Sequence, residues 1–269
     1  MTGSGAFRES KTLRAAFRSK INVFRAVVLR DVRTRFFNHG LGFLLVPIWP
    51  CAHLFALLTI WSLLGRQPAF GNSSSVYFAT ALLPTLTFMY VSRFMAASLL
   101  ANKPMLSFPR IKILDITFAR ASLEIIGAFL AVIVVICALI ALGEDPVPVD
   151  VFQAILALVA TGFLAVSVGL IVSVLSLLAP FLLTVYFLFI ILIYVSSGTF
   201  YVVATLPPEI ASILALNPVL HATEWMRSAY YPGYPTQYLD KEYMLTFALV
   251  SLFVGLFLER TLRRTLLEN

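Results

Sequence analysis

Charge is scarce in this chain: 12% of its 269 residues are Asp, Glu, Lys or Arg, against about a quarter in an ordinary soluble domain. No hydrophilic stretch is long enough to fold alone, which excludes a separate soluble domain. Cysteine is nearly absent, and Cys51 and Cys137 lie in apolar runs without CxxC spacing, leaving neither a disulfide framework nor a metal centre. His39, His53 and His221 have no ligand spacing, and there is no GxxxxGK[ST] loop, HExxH helix or GxSxG elbow. No catalytic residue is assigned, and no metal or cofactor is expected on the chain.

Acidic residues are in the minority, 13 against 20 Lys and Arg, for a net charge of +7. The basic residues fall at the edges of apolar blocks and form no aromatic-interleaved patch, so nucleic acid is not an expected partner. Their role is to orient the chain in a lipid bilayer.

What is present is apolar, 60% of all residues. A membrane span needs about 20 apolar residues, because a helix rises 1.5 Å per residue across roughly 30 Å of hydrocarbon. Five blocks qualify: Phe43–Leu64, Tyr77–Leu100, Thr117–Leu142, Val151–Leu178 and Phe181–Val203. A sixth, Tyr243–Leu258, is shorter, with charges at both ends that can snorkel outward. Separating the fourth block from the fifth requires a turn at Pro180.

Lys and Arg stay on the cytoplasmic side. Residues 1–42 hold nine, the second connection four and the C-terminal tail three, whereas the opposite side has Arg66, Arg227 and Lys241. Both termini are therefore expected in the cytoplasm. The opening 40 residues lack a secretory cleavage pattern, so the first span should anchor the chain. The fold class is all-α: six transmembrane helices, an N-terminal amphipathic interface helix in residues 1–42, and a transmembrane domain over 43–269.

The interface helix carries Lys11, Arg14, Arg18 and Arg25 on one stripe and Leu13, Phe17, Phe24 and Val28 on another. Its basic stripe suits anionic lipid or a cytoplasmic partner equally. In span four, Ala165, Gly169 and Ser173 form a small-residue stripe for close helix packing. The long fifth connection, 204–242, is apolar enough to dip into the membrane as two short re-entrant helices parted at Asn217–Pro218.

Ionisable groups inside spans are few. Arg93 lies within span two, and Arg120 and Glu124, one turn apart near the start of span three, can pair, with Asp115 able to join them. No central Asp or Glu suits a proton- or sodium-coupled carrier. Aromatic side chains are plentiful: Trp49, Trp61, Tyr77, Phe88, Tyr90, Phe181, Tyr186, Tyr194, Phe200 and Tyr201 suit belts and packing or, with Arg93, a passage for sugar rings.

Several segments resemble the membrane subunits of bacterial type 2 ABC exporters, most closely the capsular polysaccharide export permeases, over nearly the whole chain. They are Arg30-Asp-Val-Arg-Thr-Arg35 with Leu41-Gly-Phe; Asn102-Lys-Pro-Met-Leu-Ser-Phe-Pro-Arg110 with Asp115, Arg120 and Glu124; and Ser197-Gly-Thr-Phe200, Leu206-Pro-Pro-Glu209, Asn217 to Arg227 and Tyr231-Pro-Gly-Tyr234. The resemblance implies a homodimer with a pore between protomers. A separate ATP-binding subunit dimer, carrying ATP and Mg, would dock on Asn102, Lys103, Pro104, Met105, Leu106, Phe108, Pro109 and Arg110.

It further implies a bacterial inner-membrane location and, for capsule export, a periplasmic polysaccharide co-polymerase and an outer-membrane export protein as partners. Asn217, Pro218, His221, Glu224, Trp225 and Arg227 form the expected outward gate, although Glu224 and Arg227 could simply pair and Trp225 anchor the interface. The apolar junction at Pro180 departs from the family pattern. O-antigen or teichoic acid export, a secondary small-molecule carrier and a membrane-embedded enzyme remain as alternatives.

Overall fold

A computed structural model describes residues 13–35, 47–108 and 111–268. These fold into ten α-helices with no strand among the described residues: α1 (Leu13–Arg35), α2 (Ile48–Leu63), α3 (Ser74–Ala96), α4 (Ser98–Ala101), α5 (Ile113–Ala141), α6 (Val151–Leu178), α7 (Phe181–Val195), α8 (Pro208–Leu214), α9 (Pro218–Tyr230) and α10 (Lys241–Glu268). Pro109, Arg110 and the Leu41-Gly-Phe stretch lie outside the described residues, as does Lys11 of the basic stripe.

Each of the six expected blocks contains one helix. Four of these, α3, α5, α6 and the 241–263 part of α10, are long and apolar enough to cross a membrane. At 16 and 15 residues, α2 and α7 are shorter, about 24 and 22 Å at 1.5 Å per residue. The α6–α7 break falls where Pro180 demands it: Ala179 is extended and α7 begins at Phe181. Capping by local side chains sets the starts of several helices, with Ser73 accepting from Val76 N and Asp150 from Gln153 N.

The core is built around α3, buried along almost its whole length between α6, α9, α5 and α2. Large apolar side chains instead stand exposed on α5, α7 and α10, among them Phe129, Leu192 and Phe253. A water-soluble monomer rarely shows so much apolar surface; hydrocarbon chains of a bilayer would cover it.

The small-residue stripe works as packing. Ala165 and Ser173 are fully buried, and Gly169 faces Met95 of α3 so closely that an added Cβ would stand 2.4 Å from Met95 Cβ. Ser173 Oγ meets Ser98 Oγ at 3.0 Å and accepts from Leu99 N. Gly169→Leu is expected to force α3 and α6 apart and cost about 1–3 kcal/mol. A thermal midpoint equal to that of the unmodified protein would contradict this packing.

The amphipathic helix α1 uses its apolar side on protein. Val27 is buried, and Val23, Phe24 and Val28 pack with Leu99, Met105, Ile113 and Ile116. Its exposed side carries Arg18, Arg25 and Arg33.

Candidate functional site

Two polar assemblies stand out in an otherwise apolar chain, one at each end of the bundle. The first is centred on α9. Asn217 caps this helix by accepting from Val219 N, and its amide donates to Ile193 O and Ser196 Oγ at the end of α7. Pro218, at the first helical position, needs no hydrogen-bond acceptor there.

His221 joins α9 to its surroundings on another side. Asp240 N donates to Nδ1 at 3.1 Å, so Nε2 carries the proton and donates to Ala215 O at 2.8 Å. Trp225 Nε1 and Lys241 Nζ both donate to Gln153 Oε1 at 2.8 Å, and the ammonium lies 4.7 Å from the Trp225 ring centroid. The outward ends of α6, α9 and α10 are thereby tied together.

Arg227 is the largest fully buried side chain. Its Nη1 donates to Gly198 O and Tyr201 O, both at 2.9 Å, and Nη2 to Thr199 O at 3.4 Å. These carbonyls converge because the chain after α7 turns sharply through Gly198 (φ +76°), a backbone shape that favours glycine. The Tyr77 ring of α3 lies beneath the guanidinium, 4.8 Å away.

Glu224 stands 3.9 Å from Arg227 and accepts instead from Tyr234 Oη at 2.7 Å. Burial raises its carboxyl pKa, opposed by the Tyr234 hydrogen bond and the Arg227 charge. The two charges therefore do more than pair with each other. Beside them, Thr85 Oγ1 of α3 meets Ser197 Oγ (3.3 Å), Thr199 Oγ1 (3.0 Å) and Thr223 Oγ1 (3.1 Å), all buried. A polar latch thus fixes α9 and the 196–202 turn onto α3.

The second assembly joins α1 to α5. Arg120 Nη1 donates to Asp31 at 2.9 Å while its Nε sits 2.8 Å from Glu124, with all three residues buried. Asp115 does not join this group: it pairs with Lys20 of α1 at 2.8 Å and accepts from Lys112 N at the start of α5. A 95-residue separation hides Lys20–Asp115, and an 89-residue one Asp31–Arg120, from local spacing.

Between α4 and α5 the Asn102–Phe108 segment forms a short 3-10 turn. Asn102 is buried and donates to Ser98 O, and Met105 is buried against α1 and α5. Leu106 is half-buried, Lys103 and Pro104 are exposed, and Phe108 is 61% exposed. A firmly held turn thus presents a bare aromatic ring to whatever covers it.

The aromatic candidates divide by location. Trp61, Tyr77, Phe88 and Tyr186 are buried inside the protomer, Tyr90, Phe200 and Tyr201 are half-buried, and Trp49, Phe181 and Arg93 are exposed. Trp61 packs on Phe78 and Phe200, and Tyr90 Oη lies 3.4 Å from His53 Nδ1. Sequence reading missed Thr85, Thr223, Tyr234 and Asp31. The Ser197-Gly-Thr motif was the available signal for the first two, since hydroxyls in an apolar run seek one another.

A bundle of long apolar helices, a held cytoplasm-type turn and no constellation for chemistry define a membrane transport subunit. The chain belongs to the ABC-2 type transporter family, which it matches over residues 22–231. It is similar to the polysialic acid transport protein KpsM of Escherichia coli, 28% identical over 95% of this chain and 99% of the relative. It is also similar to the capsule polysaccharide export inner-membrane proteins CtrC of Neisseria meningitidis serogroup B (28%, covering 87% and 88%) and BexB of Haemophilus influenzae (24%, covering 93% and 94%).

Proposed function

We propose that this chain is the permease subunit of an ATP-driven exporter that carries a capsular polysaccharide, a lipid-linked glycan, across the bacterial inner membrane. The observation that carries this reading is similarity over nearly the full length to several proteins named for capsule or polysialic acid export. The exporter is a homodimer whose chain crosses the membrane six times with both termini cytoplasmic. In this reading α8 and α9 are re-entrant from the outer side, and α2 and α7 span with help from their flanking turns.

ATP and Mg belong to a separate ATP-binding subunit dimer, which docks on the Asn102–Arg110 segment. The held turn supports this: Met105 and Asn102 anchor it, so force applied at Phe108 passes into α4, α5 and α1 without being lost in a loose loop. Arg120 with Asp31 and Glu124, and Asp115 with Lys20, stiffen that linkage. A periplasmic co-polymerase and an outer-membrane protein complete the route for capsule.

The gate is α9 with its latch. An exported glycan is long and polar, so it needs a protein-lined path with weak repeated contacts. Opening that path requires α9 to leave α3, exchanging the Arg227–carbonyl and Thr85–hydroxyl bonds for others.

Phe108→Ala tests the docking site. Removing an exposed aromatic anchor is expected to cost about 2 kcal/mol of association, roughly 30-fold in Kd. The ATP-binding subunit should then fail to co-purify while the amount of permease in the membrane is unchanged. Undiminished co-purification would refute the site.

A further inference from the structure

Arg93 is the one exposed residue of α3, a helix otherwise buried or half-buried throughout. Among the described residues no carboxylate lies within 4.0 Å of it. Its guanidinium rests 4.5 Å from the Phe187 ring of α7. Phe187 is six residues past the start of α7, about 9 Å along the helix, so the charge is held across the seam between α3 and α7, well inside the apolar region.

An arginine facing hydrocarbon at such depth costs about 2.5–3.5 kcal/mol on the insertion scale. Snorkelling along α3 toward the headgroups would relieve that cost, yet the side chain turns sideways onto Phe187. The cation–π contact holds the guanidinium but offers it no hydrogen-bond acceptor. The remaining way to satisfy it is a wet, polar route bounded by this seam. The half-buried Tyr90, one turn away with its hydroxyl 3.4 Å from His53 Nδ1, adds polar lining to the same opening.

We infer that Arg93 contacts the carboxylates of an acidic glycan in transit and sets the exporter's preference for anionic polymers. The inference rests on the export reading and goes beyond it by naming the charge class of the substrate. A guanidinium presents paired donors that match a carboxylate, and with a single such residue per protomer each contact is brief enough to be released as the chain advances.

The test uses the chain together with its ATP-binding partner in cells that make a polysialic acid capsule. Arg93→Gln is expected to lower surface polysialic acid about tenfold at equal membrane levels, the low end of what one-signed charge in a cleft contributes to capture. Arg93→Lys should retain most export, and Arg93→Glu should abolish it. In a chain with Cys51 and Cys137 replaced by Ser, Arg93→Cys should react with a membrane-impermeant, negatively charged thiosulfonate. Normal export by Arg93→Gln, or an unreactive Arg93→Cys, overturns the assignment of Arg93. Absence of export by the unmodified chain overturns the transport reading itself, and this inference with it.

Discussion

Arg227→Met is expected to lower the stability of the protein by about 3–5 kcal/mol, the range for taking one charged partner out of a buried polar cluster. The methionine fills most of the volume but leaves the carbonyls of Gly198, Thr199 and Tyr201 without the donors that now satisfy them. An unpaired buried carbonyl costs about 1–3 kcal/mol, and Glu224 keeps its negative charge in a fully buried site. In detergent, the midpoint of thermal unfolding should fall by roughly 10 °C for a chain of this size.

Arg227→Lys should recover part of the loss, because an ammonium reaches one or two of the carbonyls but cannot span three. Thr85→Val removes a hydroxyl from the same latch and should cost about 1–2 kcal/mol, less than the arginine change. A midpoint for Arg227→Met within a degree of the unmodified protein would show that the latch contributes nothing to holding α9.

Arg120→Ala should be comparably severe, about 3–5 kcal/mol, for a related reason. The guanidinium lies between Asp31 and Glu124, so its removal leaves two carboxylates in one buried site and deprives the Phe94 ring of its cation. The consequence is specific in space: α1 loses its central tie to α5, while Lys20–Asp115 and the Val27 contacts remain. Limited trypsin digestion should then cut within α1, at Arg25 or Arg30, well before it cuts elsewhere. Asp31→Asn keeps an acceptor for Arg120 and should show a much weaker effect. Equal protease resistance of α1 in Arg120→Ala and the unmodified protein would contradict the proposed tie.

Legibility in the sequence followed the distance over which each feature is specified. Helix positions came from runs of apolar residues, and the α6–α7 break from Pro180, because both are local properties of the chain. The α8–α9 boundary at Asn217–Pro218 was visible for the same reason, and so was Arg120–Glu124 at one helical turn. The Ala165, Gly169, Ser173 stripe correctly marked a close helix contact, though not that Met95 and Ser98 lie across it.

Long-range pairings were not legible. Asp115 was expected beside Arg120, yet a helix start draws it to Lys112 N and Lys20, and Asp31 takes the place beside the arginine. Glu224 and Arg227 are spaced to pair, but the turn at Gly198 offers carbonyls at better distance, and Tyr234 satisfies the carboxylate. In both cases a competing donor or acceptor supplied by another part of the chain decided the outcome. Interface helix α1 gave its amphipathicity plainly while concealing that protein, not lipid, covers Val23, Phe24 and Val27.

The central claim is that this chain supplies a path and a partner supplies the energy. Reconstituting the purified chain with its ATP-binding subunit in proteoliposomes, with polysialic acid on the ATP side, tests it most directly. Glycan should accumulate on the far side only when both subunits and hydrolysable ATP are present, and a proton gradient alone should drive none. Accumulation by the permease alone, or driven by the gradient without ATP, would contradict the account.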